Sequence, residues 1–152
     1  MLKAALISAC LILSAGLATT ASAQNNEHST PMSAQDQAHV DRLMNPFFTT
    51  LKSGNVNKAY TDLFKGTLVE SKTIEVGQLA AQSDFMLQTS GSIADWQIIR
   101  TDCVSPNICL VIYEIRAAEA PLALRLYAYK KPSGEWTPNS VYMSMDPTHL
   151  YN

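Results

Sequence analysis

Lysine and arginine are nowhere gathered into a stripe in this 152-residue sequence: 11 basic side chains face 13 acidic ones, for a formal charge of −2. Nucleic-acid binding needs clustered cations that displace counterions, so that class is excluded. Histidine is equally sparse. His28, His39 and His149 are far apart in sequence and share no motif, so no metal or acid–base set is read from them and solvated surface positions are expected. There is no G-x-S-x-G, no glycine-rich phosphate loop and no H-E-x-x-H. The acids Asp62, Glu70, Asp84 and Asp95 are scattered, with no spacing that pairs two of them for proton transfer. The reading leans away from an enzyme, and no cofactor or catalytic residue is indicated.

What is present begins with residues 1–23. Lys3 precedes an apolar run from Ala4 to Ala18, and Ala21-Ser22-Ala23 offers small residues where a signal peptidase cuts. This is the tripartite pattern of a secretory signal, which makes Gln24 the new N-terminus. The run is about 15 residues, short for a bilayer span, so the alternative of an uncleaved anchor is disfavoured. Ile7-Ser8-Ala9-Cys10 resembles a lipobox, but too little apolar chain precedes Cys10 and the run continues well beyond it. An exported chain, periplasmic or secreted and not integral to the membrane after cleavage, is expected.

Residues 24–32 are polar, aperiodic and contain a proline, which predicts a disordered lead. Residues 33–152 form one domain, since the mature length suits a single core. A capping box at Ser33–Asp36 starts a helix whose stripe is Val40, Leu43, Met44, Phe47, Phe48 and Leu51, with Pro46 as a kink. Ser53-Gly54-Asn55 ends it, and Asn55 is placed to N-cap a short helix over 56–64. Residues 67–72 read as a short strand or a loop, and a third helix covers 74–90 with the stripe Val76, Leu79, Ala80, Ser83, Met86 and Leu87.

From Trp96 the period changes to two. Strands are predicted over 94–103, 109–117, 122–130 and 136–145, separated by turns at 104–108, 118–121 and 132–134. Helices first and strands second give an α+β class: three N-terminal helices packed on a four-stranded antiparallel meander.

Two features of the meander carry chemistry. Cys103 and Cys109 flank its first turn, and a bridge clamping the hairpin is expected, against free thiols or a redox or metal pair. The second is a polar row. Glu114 and Arg116 share one face of strand two, Arg125 and Tyr127 one face of strand three, and Tyr142 lies on strand four. These five either line a pocket or form a solvent face with cross-strand pairs such as Glu114–Arg125. Tyr113, Ile115, Leu122, Leu124 and Leu126 are assigned to the helix side.

The words FFTTLKSGNVNKAYTDLF, Trp96-Gln97-Ile98-Ile99 and Gly134-Glu135-Trp136, in this order, resemble the NTF2-like superfamily. That resemblance implies a cone-like curved sheet wrapped by helices, a pocket between them, and homodimers formed through the sheet. It implies no particular activity, because the superfamily holds isomerases, dehydratases and many non-catalytic accessory domains. The first expectation is an exported, non-enzymatic binding or accessory domain for a small apolar ligand or a protein partner. The alternatives are a pocket enzyme of the NTF2-like kind and a structural component of an envelope assembly.

Overall fold

The computed structural model describes residues 29–151, so the expected signal segment over 1–23, Cys10 and His28 lie outside the described residues. Helix α1 spans Ala34–Lys52, α2 Val56–Phe64 and α3 Thr73–Ser90. They are followed by β1 (Ile93–Ser105), β2 (Ile108–Ala117), β3 (Leu122–Lys130) and β4 (Trp136–Ser144), and then a single 3₁₀ turn, η1, over Pro147–Leu150. The class is α+β, as the pattern predicts.

Helix α1 begins where its sequence says. The Ser33 hydroxyl oxygen accepts from the Asp36 amide at 3.1 Å, and the hydroxyl donates to the Asp36 carboxylate at 2.9 Å. The helix runs on through Pro46, whose ring stays at the exposed surface, and buries Val40, Met44, Phe47, Phe48 and Leu51. Asn55 does not cap α2. Its side-chain amide donates to Ser53 Oγ at 3.0 Å, and no side-chain hydrogen bond caps α2. Residues 67–72 are a succession of turns, with the Glu70 carboxylate accepting from the Gly66 amide at 2.8 Å. Gly91 ends α3 at φ +81°, and a Cβ there would stand 3.1 Å from the Ala118 Cβ, so both backbone and space require glycine.

The sheet is a plain meander, ordered β1-β2-β3-β4, with every neighbour antiparallel. Its helix-facing side carries Tyr113, Ile115, Leu122, Leu124 and Leu126, buried as assigned, and with them Val111, Val141 and Met143. A bulge at Ile99 lies between the pairs Ile98–Tyr113 and Arg100–Ile112. It keeps Trp96 and Ile98 on the helix side before it, and Cys103 on that side after it. At the centre Phe48 is fully buried, its ring 4.9 Å from Tyr113 and 5.1 Å from Trp96. Beside it the Tyr60 hydroxyl and Ser83 Oγ are 2.6 Å apart, a buried pair that satisfies both groups.

The described end of the polar lead makes contacts with the sheet, while residues 24–28 lie outside the described residues. Thr30 exchanges both backbone hydrogen bonds with Cys103, at 2.9 and 3.1 Å, and the Met32 side chain enters the core. One apolar side chain and one β-bridge thus join this segment to the sheet. Cys103 and Cys109 are directly opposite in the β1–β2 register, with Cα atoms 4.0 Å apart, and are joined as a disulfide. Because the Cys103 amide and carbonyl point away toward Thr30, the two cysteines are a non-hydrogen-bonded pair, the closer of the two antiparallel types.

Asp36 closes the domain over a long sequence distance. Its carboxylate accepts from Lys130 Nζ at 2.7 Å and from Trp136 Nε1 at 2.9 Å, tying the start of α1 to the β3–β4 turn. These donors lower its pKa from 3.8 to about 2. A carboxyl lowered by folding adds stability above its unfolded pKa and loses it as pH falls through the folded one. Asp36→Asn is therefore expected to cost about 1–2 kcal/mol at neutral pH after allowance for solvent screening. It should also flatten the wild-type loss of stability between about pH 4 and pH 2. Urea unfolding at pH 7 and at pH 2.5 checks both, and an equal deficit at the two pH values would contradict the assignment.

Candidate functional site: the α3–β4 groove

The polar row does not converge. Glu114 accepts from Gln97 Nε2 at 2.7 Å on the β1 side. Arg116 is held bidentately by Asp95, and this pair keeps the Asp95 carboxyl below its ordinary range. The expected Glu114–Arg125 pair is absent, because the register places Glu114 opposite Ala123 while Arg125 lies between Ile112 and Tyr142. Tyr127 is exposed on the same face.

The reason the row opens onto no pocket is the C-terminal segment. Asp146 accepts from the Thr148 amide at 2.9 Å and from the Thr148 hydroxyl at 2.8 Å, which starts η1, and η1 lies against β2 and β3. Arg125 Nε donates to the His149 carbonyl at 3.2 Å and Arg100 to the Tyr151 carbonyl at 3.1 Å. The Tyr142 and His149 rings are 5.6 Å apart. Ile112, on this helix-free face, is fully buried as a result. His149 is thus half-buried against the sheet rather than solvated, and its Nδ1, like Arg125 Nη2, has no hydrogen-bond partner among the described residues. The sequence signal for η1 is Asp146-Pro147-Thr148, an N-cap followed by a proline at the first helical position.

One concave surface collects apolar side chains. It runs between α3 and β4, has a volume of ≈ 650 Å³, and is lined by Ala81, Gln82, Phe85 and Met86 on one side and by Tyr142 through Asp146 on the other. Phe85 is 69 % exposed, Tyr142 47 % and Met145 38 %. Of the five residues of the polar row, only Tyr142 reaches it. Asp146 is its one charged side chain, and bonding to Thr148 keeps that carboxyl below its usual range. Sequence reasoning missed Phe85 because it stands beside, not on, the α3 core stripe. A phenylalanine off the apolar stripe of a helix is the signal that was there to read.

A second ionisable pair lies elsewhere, between α1 and β2. Burial raises the pKa of Asp41, and burial together with the Asp41 charge raises that of Tyr113. The Tyr113 hydroxyl is buried without a partner among the described residues, and neither residue lines the groove. No group of three or more His, Cys, Asp or Glu side chains among the described residues is placed to hold a metal ion. No helix among them is long and apolar enough to cross a membrane. No family model matches the chain, and no curated protein and no solved structure matches it.

Proposed function

We propose that the chain is an exported, non-enzymatic binding or accessory domain of the NTF2-like kind, and that its ligand occupies the α3–β4 groove. The observation that carries this reading is the groove itself: the exposed side chains of Phe85, Tyr142 and Met145 gathered along one cleft, with a single charge at its end. Exposed apolar clefts of this kind mark binding surfaces. Export is supported by the 1–23 pattern and by a disulfide, which persists in oxidising compartments. The NTF2-like assignment, with its cone-like sheet, is supported by the order of three helices and a four-stranded antiparallel meander. The polar row supports binding over catalysis, since Glu114, Arg116 and Arg125 are each engaged by a different neighbour.

The test is titration with an apolar fluorescent probe such as N-phenyl-1-naphthylamine. Phe85→Ser is expected to weaken binding about tenfold, the change that losing one buried aromatic contact of roughly 1.4 kcal/mol produces. Because Phe85 is mostly exposed, the variant should keep the wild-type unfolding midpoint. An unchanged affinity for the probe would remove the groove from consideration.

A further inference from the structure

The two edges of the sheet are not equally guarded. On β1, Cys103 bonds Thr30 through its backbone, the Ala94 carbonyl accepts from Lys52 Nζ at 2.6 Å, and the bulge at Ile99 breaks the register. On the first half of β4, Pro138 offers no amide. On the second half, no backbone hydrogen bond from a loop or helix reaches Asn139 to Met145 among the described residues.

Which groups face outward there follows from the hydrogen-bonding phase of the sheet. Cys103 spends both its backbone groups on Thr30, so Cys109 opposite it turns its own toward Ala128 of β3. Ala128 therefore faces β2. Counting back by alternation, Tyr127, Arg125 and Ala123 face β4, where they meet Ser140, Tyr142 and Ser144. Val141 and Met143 are left with amide and carbonyl directed outward from the sheet. The groove follows this edge: its β4 wall is five consecutive residues, Tyr142 to Asp146, with side chains from both faces of the strand.

We infer that the occupant of the groove is an extended segment of a partner protein, added to β4 as a fifth strand, with apolar side chains at alternate positions and a lysine or arginine opposite Asp146. The inference rests on the groove being the binding site and names what fills it. An added strand uses the outward groups of Val141 and Met143, which a small apolar molecule leaves unpaired. Side chains on its helix-facing side fall on Phe85 and Met86. No lysine or arginine lines the groove, so its single carboxylate has its complement in a cation on the partner.

The experiment is an NMR titration of the full chain with acetyl-Lys-Val-Thr-Val-Thr-Val-amide. Two backbone-methylated versions accompany it, one with N-methyl groups on the valines and one on the threonines. In an added strand only one of these alternate sets faces β4. The unmodified peptide is expected to shift amides of Ala81–Met86 and Tyr142–Asp146. One methylated version should bind at least tenfold more weakly while the other binds nearly as well. Glutamate in place of the peptide lysine should weaken binding severalfold in the wild type but not in Asp146→Asn, where asparagine still caps η1. If both methylated versions bind like the parent, or the parent fails while the fluorescent probe binds through Phe85, the added strand is wrong and the groove reading stands. If neither peptide nor probe binds, both fall. A dimer in sedimentation that the peptide dissociates, with the amides of Ser140–Met145 as its interface, would make a second copy of this chain the occupant and overturn the inference.

Discussion

Phe48→Ala is expected to cost about 3–5 kcal/mol of folding stability, the range for truncating a fully buried aromatic side chain. Phe48 has no exposed surface, and its ring is packed between Phe47 on its own helix and Trp96 and Tyr113 on the sheet. It is the contact through which α1 is seated on β1 and β2 together. A small domain holds about 5–15 kcal/mol in all, so one substitution removes a large share of it. Urea unfolding followed by far-ultraviolet circular dichroism reads the effect as a lower midpoint at unchanged slope. A loss under about 1 kcal/mol would mean that the ring is not confined as described, since relaxation around a filled site recovers only part of the transfer and cavity terms. Phe85→Ser, on the exposed side of α3, is the matched control.

Removing the bridge by Cys103→Ser together with Cys109→Ser is expected to cost about 2 kcal/mol, the chain-entropy value for a closed loop of about seven residues. Both cysteines are buried, and Cys103 carries the backbone-to-backbone bridge between β1 and the segment before α1, beside the Met32 amide that donates to Thr101 Oγ1. The serine hydroxyls add a desolvation cost, so a Cys→Ala pair should be the milder variant. Thermal unfolding of the wild type with and without reductant gives the same comparison without mutation. Alkylation followed by mass measurement of non-reduced protein completes it: two added alkyl groups before reduction would show that the bridge is not formed.

The parts of the fold that local rules govern were legible. A serine followed three residues later by aspartate started α1 at its observed residue, and the stripe from Val40 to Leu51 named its buried face. The change of period at Trp96 located four strands, and on β2 and β3 the residues assigned to the helices face them. The parts set by tertiary contact were not legible. Thr30 reads as polar linker, and only its bridge to Cys103 gives it a place. The Glu114–Arg125 pair fails through register, which puts Ala123 opposite Glu114. Register depends on where β2 turns into β3, and single-strand patterns do not fix it. The groove escaped for a different reason. It is made from what two elements leave uncovered, while periodicity reports what they cover.

The tie between Asp36 and Trp136 spans 100 residues, and that between Thr30 and Cys103 spans 73 (103 − 30), so both closures join the start of the domain to the sheet that follows the helices. A ribosome delivers the chain from its N-terminus, and α1, α2 and α3 appear before any strand they cover. Their apolar stripes stay without a partner until the meander follows. The meander itself zips quickly, because each strand pairs with the next in sequence. Trp136, however, opens β4, after all three helices and the first three strands. Until β4 is made the helices are therefore not fully covered, and the latch that seats α1 arrives only with that strand. Such a nascent chain is a natural client for a factor that holds apolar segments apart until β4 arrives.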